Sequence, residues 1–288
     1  MISGIEELIK LSEDKEIPFW QVVLEDDMLD RSVSKEESFA TMRDMYHAMK
    51  EADHAYDSQM RSASQLVGGD GAKMERAVKD GKVSSGSFLG MVIARALKMG
   101  ESNACMKRIV AAPTAGSCGV IPAVFLSLEK EFGYSEEKMT EALYVAAGIG
   151  SVIAERASIS GAQGGCQAEI GAASAMAAGA VVYLRDGSNE QISDATAVAL
   201  KNLLGLVCDP VAGLVEVPCV KRNVIGAVNA ITSADMVMAG IKSKIPADEV
   251  IDAMGEVGAL LPVSLKETSQ AGLAVTPTGM AVTENLSK

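Results

Sequence analysis

The sequence predicts an all-α fold, a helical bundle in which Gly- and Ala-rich helices lie at the centre and loops converge on one site. Helix-capping patterns recur along the 288 residues, whereas the apolar–polar alternation typical of strands hardly occurs. Aromatic residues make up only 4% of the chain, so its core is built from aliphatic and small side chains. The sequence also lacks the alternation of strands and helices that indicates an α/β fold.

Three capping boxes indicate where helices begin. Ser3-x-x-Glu6, Ser34-x-x-Glu37 and Ser188-x-x-Gln191 each place a hydroxyl three residues before a side chain that can return a hydrogen bond. Ser34 opens a polar helix that is predicted to reach about Met60. Its apolar residues follow helical spacing and form one stripe: Phe39, Met42, Met45, Tyr46 and Met49. A Met-rich stripe of this kind indicates core or a subunit contact rather than a ligand site.

Seven further helices are predicted from the spacing of apolar residues. They span 87–99, 120–132, 136–156, 167–184, 191–204, 223–241 and 248–261. Two of them, 167–184 and 223–241, are apolar on nearly every side, which predicts that they are buried all round. The Gly-rich loops that join them then lie near the core, where their amides need partners such as a bound cofactor or an anionic substrate.

The composition changes near residues 64–86. Before this point the chain is polar and acidic, and after it the chain is apolar and rich in Gly and Ala. We therefore predict an acidic helical N-terminal segment over residues 1–64 and a helical catalytic domain over residues 65–288.

Charge and hydropathy restrict the class of partner. The net charge of −12 disfavours nucleic acid and anionic membrane surfaces as partners. No stretch has the length of a membrane span, and the first residues lack the basic region of a signal peptide. We therefore expect a cytoplasmic protein whose five cysteines are thiols rather than disulfides.

Three of the cysteines, Cys166, Cys208 and Cys219, lie at junctions between a loop and a helix. Free amides and the helix dipole at such positions stabilise a thiolate, which is the form of cysteine that ligates metal. Their spacing matches no common CxxC site, so the residues alone leave two interpretations open: buried structural cysteines or metal ligands. Cys105 is interpreted as a core residue, and Cys118 lies in a Gly-rich turn.

The histidines offer little support for nucleophilic catalysis. His47 and His54 are the only two in the chain, and both are expected on the exposed surface of the acidic helix. A Cys or Ser nucleophile usually needs a His base, and a zinc protease needs an H-E-x-x-H pair. The chain is therefore poorly equipped for either type of site.

Two hydroxyl-rich turns precede predicted helices. Residues 113–119 and 84–87 offer amides and hydroxyls at a helix N-terminus, where a carboxylate can bind. The alternative for each turn is a plain helix cap. Neither has the glycine pattern of a phosphate loop, so nucleotide binding is not indicated.

Four segments together resemble the alpha subunit of the iron–sulfur-dependent L-serine dehydratases. They are residues 112–122, 165–171, 202–223 and 267–274. Within the third segment, Cys-Asp-Pro-Val-Ala-Gly followed by Val-Pro-Cys is the most specific element. The resemblance covers residues 65–280.

The resemblance implies a lyase of amino-acid catabolism and gluconeogenesis that converts L-serine to pyruvate and ammonia without PLP. Three cysteines of that family bind a [4Fe–4S] cluster with one iron open to substrate, and they correspond here to Cys166, Cys208 and Cys219. Single-chain members carry an additional α/β domain that this sequence lacks. The resemblance therefore also implies a beta-subunit partner and a hetero-oligomer.

Thr114, Ser117, Ser85 and Ser87 are the candidates for binding the substrate carboxylate and for the catalytic base, with the partner chain as another source of the base. Three alternatives stay open. A lyase that removes sulfide from L-cysteine would use the same three ligands. A non-catalytic iron–sulfur electron carrier would need a fourth thiolate, for which Cys118 is the one thiol placed, and a purely structural helical protein would hold no metal.

Overall fold

The structure is a computed structural model that describes residues 2–287. Within that range the chain forms thirteen α-helices and no strand, apart from an isolated bridge between Cys208 and Lys266. The all-α prediction is confirmed. The helices are α1 (Ile5–Asp14), α2 (Phe19–Arg31), α3 (Lys35–His54), α4 (Asp70–Lys79), α5 (Gly86–Ala104), α6 (Val120–Phe132), α7 (Glu136–Arg156), α8 (Gly161–Gly164), α9 (Ala172–Leu184), α10 (Asn189–Lys201), α11 (Cys219–Met238), α12 (Ala247–Leu260) and α13 (Pro277–Leu286).

Local capping explains which helix starts could be predicted. The capping boxes at Ser34 and Ser188 are both present, and α6 and α7 have the predicted bounds. The capping box at Ser3 is wrong. Ser3 instead binds the carboxylate of Glu7, and the first amide of α1 donates to Asp248 Oδ1 of α12 at 2.8 Å.

Helices α2, α4, α8 and α13 have no counterpart among the predicted helices. Both α2 and α4 begin without a hydrogen bond from a local capping side chain. The first amides of α4 are bound by Glu101, a buried carboxylate of α5. Because that partner lies 31 residues along the chain from Asp70, no short sequence pattern marks the start of α4.

Helix α9 lies at the centre of the bundle. All of its residues except Tyr183 are buried, and it packs against α7, α10 and α11. The prediction of a fully buried helix is confirmed for this element. It is wrong for α11, because that helix leaves one face open to solvent, where Ile225 is 50% exposed.

The N-terminal helices belong to the same hydrophobic core as the rest of the bundle. Ile5, Phe19 and Tyr46 are fully buried in a cluster that extends to Met254 of α12. The helices before residue 64 thus share a core with the helices after it. The predicted division into two parts at residue 64 stays a prediction. No helix within residues 2–287 has both the length and the hydropathy needed to cross a bilayer.

The Met-rich stripe of α3 was predicted to belong to the core or to a subunit contact, and the core interpretation is confirmed for most of it. Tyr46 and Met49 are buried, and Phe39 and Met42 pack against the same cluster. Met45, which is 48% exposed, lies outside it.

Gly71 allows α4 to lie directly against α5, and its replacement tests this close approach. An ideal Cβ on Gly71 would lie 2.9 Å from the Lys98 amide nitrogen and 3.2 Å from Lys98 Cα, so the backbone of one helix has to move. We expect Gly71→Ala to lower the free energy of unfolding by about 1–3 kcal/mol in urea denaturation. Gly255→Ala on α12 is the control, because its Cβ would make ordinary contacts at 3.4 Å or more and Ala favours a helix by up to about 1 kcal/mol. Equal effects of the two substitutions would contradict the prediction.

Candidate active site

Cys166, Cys208 and Cys219 come from three segments that meet inside the molecule. Cys166 precedes a π-helical segment, Gln167–Gly171, and Cys219 is the first residue of α11. Cys208 lies in the loop between α10 and α11. All three are buried, with 3%, 3% and 8% of their surface exposed.

Backbone and side-chain bonds join the first two of these segments. Gln167 N donates to Leu206 O at 2.9 Å, and Gly205 N donates to Gln167 Oε1 at 2.8 Å. Gly165, with a φ of +77°, brings the backbone against Leu206 O, where an ideal Cβ would lie 3.0 Å away. Glycine is therefore required at this position by both conformation and space.

The three thiols lie close enough to influence one another. Burial raises the pKa of each to about 12. Proximity adds to this effect, since Cys219 raises the pKa of Cys166, Cys166 that of Cys208, and Cys208 that of Cys219. Three buried, mutually repelling thiolates need a cationic group among them, and this donor set fits a thiolate-bound metal centre.

A single metal ion does not suit this arrangement. Among residues 2–287, no group of three or more His, Cys, Asp or Glu side chains is placed to hold one metal ion. The ligands of one tetrahedral zinc ion lie about 4 Å apart. Cysteines that hold an iron–sulfur cluster each bond a different iron, so their sulfurs lie farther apart. Within residues 2–287 the three thiols therefore do not form a tetrahedral site for one ion.

Arg222 of α11 connects the cysteine segments. Its guanidinium donates to Val207 O and to Asp209 Oδ1, both at 2.8 Å. Its positive charge also lowers the pKa of all three thiols, against the effect of burial. Asp209 is itself buried and accepts a second bond, from Leu273 N at 2.8 Å. Arg222 and Asp209 thus form a buried ion pair on the loop that carries Cys208.

Residues 265–275, called here the C-terminal strap, cover this loop. Cys208 N donates to Leu265 O at 2.9 Å, and Glu267 N donates to Cys208 O at 3.0 Å. Gly272 has a φ of +62°, and an ideal Cβ on it would lie 2.4 Å from Asp209 Oδ2. The strap therefore approaches Asp209 as closely as it does because residue 272 has no side chain.

Thr114 and Ser117 lie together in the turn before α6. Their hydroxyl oxygens are 3.1 Å apart, and Thr114 Oγ1 donates to Glu169 Oε1 at 2.6 Å. Several amides that the sequence suggested for a carboxylate are already used within the turn. Ser117 N donates to Thr114 O and Cys118 N to Ala115 O, so side-chain hydroxyls become the main polar groups on offer.

Glu169 is the one charged residue between positions 164 and 184, and it lies at the centre of the site. Burial raises the pKa of its carboxyl group, the Thr114 hydrogen bond lowers it, and the nearby Glu267 raises it further. An ideal Cβ on Gly161 would lie 2.7 Å from Glu169 Oε2 and 3.3 Å from Glu267 Oε2, so both carboxylates border the same glycine. Glu169 also raises the pKa of Cys208 and Cys219, after burial and the neighbouring thiol.

The structure does not bring Ser85 and Ser87 to the thiols. Both lie at the start of α5, whereas the other end of that helix contacts the site through Met99 O, which accepts from Cys118 Sγ at 3.7 Å. Twelve residues of helix separate Ser87 from Met99, a rise of about 18 Å. The proposed roles of the two serines stay a prediction.

The remaining candidates have unremarkable surroundings. His54 is exposed as expected, whereas His47 is half-buried and pairs with Glu136 at 2.7 Å. The core interpretation of Cys105 is wrong, because this residue follows the last turn of α5 and is only partly buried.

Comparison with known proteins gives the family. The family model described as "Serine dehydratase alpha chain" matches residues 14–274. The chain belongs to this family. A relative named "Probable L-serine dehydratase, alpha chain", from Bacillus subtilis (strain 168), is 46% identical over 97% of this chain and 93% of its own length.

Other relatives of the serine dehydratase alpha chain family differ in length. "L-serine dehydratase, alpha chain" from Peptoniphilus asaccharolyticus is 37% identical over 100% of this chain and 99% of its own. "L-serine dehydratase" from Helicobacter pylori (strain ATCC 700392 / 26695) is 34% identical over 95% of this chain but only 61% of its own length. The family therefore includes longer chains that contain a segment similar to this one.

Two residues of the site, Glu169 and Arg222, were not among the candidates named from the sequence. A signal for Glu169 was present, because a single charge in the apolar stretch 164–184 has to be placed among polar partners. Arg222 gave no comparable signal. It lies beside Lys221, which is exposed, and only the fold turns one of the two inward.

Proposed function

We propose that this chain is the catalytic alpha subunit of an L-serine dehydratase, an ammonia-lyase that converts L-serine to pyruvate and ammonia. Membership of the serine dehydratase alpha chain family supports the reaction. The observation that carries the proposal is the meeting of three buried cysteines with the Thr114–Glu169 pair, which combines a metal-binding set with groups able to bind and deprotonate a substrate.

In this proposal Cys166, Cys208 and Cys219 hold a [4Fe–4S] cluster, and no PLP takes part. When bound, the cluster supplies an open iron that acts as a Lewis acid on the substrate hydroxyl and carboxylate. The orientation of Cys118 supports three ligands rather than four, because its thiol is engaged by Met99 O. This orientation also disfavours the electron-carrier alternative, which needs a fourth thiolate.

The protein's own residues supply the remaining functions. The hydroxyls of Thr114 and Ser117 orient the substrate carboxylate, and Glu169 accepts the proton from Cα. Burial favours this role, since a carboxyl with a raised pKa is a stronger base than an exposed one. Loss of the Cα proton and the Cβ hydroxide amounts to loss of water and leaves 2-aminoacrylate. This product tautomerises to the imine, which water hydrolyses to pyruvate and ammonia.

A partner chain completes the proposed enzyme. Two of the relatives are named alpha chains, which supports a second type of subunit. We propose a cytoplasmic hetero-oligomer of this chain with a beta subunit, and the assay below therefore uses both.

The test is pyruvate formation from L-serine by the anaerobically purified pair of chains after reconstitution with iron and sulfide. We expect Glu169→Gln to lower kcat by about 10²–10⁴-fold while iron content is unchanged. Glu141→Gln is the matched control, because the Glu141 carboxylate also accepts a hydroxyl bond at 2.6 Å, from Tyr183, in a partly buried position away from the thiols. It should leave kcat within about twofold of the wild type, as is usual for changes that remove no transition-state interaction.

The pH profile provides a second measurement. A base acts only when it is ionised, and the raised pKa of Glu169 means that protonation occurs at a higher pH than for an exposed Glu. The value of kcat/KM should therefore fall as the pH drops through that raised pKa. In Glu169→Gln this decrease at low pH should be absent. Turnover of L-cysteine but not L-serine would identify the sulfide-removing lyase instead, and bound iron without turnover of either would contradict a lyase.

A further inference from the structure

Asn223 joins the hydroxyl turn to the first turn of α11. The side chain is buried, with 1% of its surface exposed, and lies one helical turn after Cys219. Its Oδ1 accepts from Gly119 N at 2.8 Å. Its Nδ2 donates to Gly116 O at 2.8 Å and to Cys219 O at 3.0 Å. A single amide group thus binds the backbone on both sides of Ser117 and the backbone of one thiol residue.

The turn has little room to lie elsewhere. An ideal Cβ on Gly119 would lie 2.7 Å from Ala96 O of α5 and 3.0 Å from Asn223 Oδ1. On its other side, Gly116 faces Glu169, whose Oε1 would be 2.8 Å from a Cβ at that position. The turn is therefore held between α5, Glu169 and Asn223.

We infer that Asn223 is a positioning residue, which fixes the separation between the Thr114 and Ser117 hydroxyls and the Cys219 ligand. This inference rests on the proposed function, in which the hydroxyls orient the carboxylate of the substrate on which the metal centre acts. Only an amide of this length supplies both the acceptor for Gly119 and the donors for Gly116 and Cys219. Asp lacks the donors, Leu lacks both groups, and Gln carries its amide one methylene farther out.

The expected effect is on substrate binding geometry rather than on the metal centre. Without the amide, Gly119 N and Gly116 O lose their partner and the turn is free to shift relative to α11. A shift of about 1 Å between reacting groups is sufficient to reduce a rate about 100-fold. The three thiols are held by other contacts, including the Arg222 bonds, so the iron content should remain that of the wild type.

Asn229 provides a matched control on the same helix. Its Oδ1 accepts from Asn202 Nδ2 at 2.9 Å, and its Nδ2 donates to Ser174 Oγ at 2.9 Å and Ala199 O at 2.8 Å. It therefore makes three hydrogen bonds of the same kind as Asn223, but to α9, α10 and the residue after α10 instead of the hydroxyl turn. A merely structural role would give Asn223→Ala and Asn229→Ala the same phenotype.

The experiment compares Asn223→Ala with Asn229→Ala in the reconstituted pair of chains. We expect Asn223→Ala to lower kcat/KM for L-serine by about 10–100-fold, mainly through a lower kcat, with wild-type iron content. Amide hydrogen exchange at Gly119 should be at least about tenfold faster in this variant and unchanged in Asn229→Ala. Asn223→Ser is the second variant for use if the alanine variant does not fold.

Each outcome decides a different point. Equal kinetics and equal exchange at Gly119 in the two alanine variants would overturn the inference, as would loss of iron from Asn223→Ala alone. If the wild type does not turn over L-serine, the proposed function fails. Exchange at Gly119 still decides in that case whether Asn223 holds the turn.

Discussion

Cys208→Ala is expected to remove at least about 1,000-fold of the L-serine turnover of the reconstituted enzyme, because loss of Lewis-acid stabilisation of several kcal/mol corresponds to that factor. Iron should fall from about four per chain to less than about one, since a cluster held by two thiolates is labile. Both effects follow from the proposed role of Cys208 as one of three ligands. They are measured as pyruvate formation, iron content and the visible absorption of the anaerobic protein.

The fold around Cys208 makes this substitution informative. The residue is anchored by its own backbone, which bonds Leu265 O and Glu267 N, and an alanine keeps both bonds. The variant should therefore fold. Cys105→Ala is the control, because Cys105 is a partly buried thiol after the last turn of α5 and lies outside the three-thiol set. Retention of iron and turnover by Cys208→Ala would refute the ligand assignment.

Asp209→Ala is expected to lower the free energy of unfolding by about 3–5 kcal/mol, the usual effect of leaving one charge of a buried ion pair without its partner. The side chains of Arg222 and Asp209 are only 12% and 5% exposed, and their nitrogen–oxygen distance is 2.8 Å. The substitution also leaves Leu273 N without its acceptor, which removes one of the bonds between the C-terminal strap and the loop that carries Cys208. Urea denaturation of the metal-free chain measures the effect without any contribution from a cluster.

The matched control for this substitution is Asp252→Ala. Asp252 accepts two bonds from Arg156, at 3.0 and 2.6 Å, but its side chain is 50% exposed. A surface pair of this kind contributes about 0–1 kcal/mol, because water replaces the lost interaction. If Asp209→Ala lowers the free energy of unfolding no more than Asp252→Ala does, the buried pair does not hold the strap.

Elements with local signals could be predicted from the sequence. The hydroxyl caps of α3 and α10 and the apolar pattern of α9 all depend on residues within a few positions of one another. Helix α4 depends on Glu101 from another helix, so its start is invisible in local sequence. The exposed face of α11 was missed for a similar reason, since apolar composition does not reveal which neighbours are absent.

The candidate site divides in the same way. Cys166, Cys208 and Cys219 were identified through motifs, and Thr114 with Ser117 through a turn before a helix. Arg222 escaped notice because its partners, Val207 and Asp209, lie more than ten residues away along the chain. Ser85 belongs to a turn of similar composition to that of Ser117, and composition alone does not show that Ser85 lies at the opposite end of α5 from Met99, which contacts Cys118.

The C-terminal strap has a consequence for the order of events during protein synthesis. Cys208 obtains its two backbone partners from residues 265 and 267, which leave the ribosome after all three cysteines and after the central helices. The central helices, by contrast, have their sequence neighbours at hand much earlier, and chains fold from the N-terminus during translation. The surroundings of the three thiols are thus complete only after residue 267 has left the ribosome, and a metal group held by all three in this arrangement enters after that point.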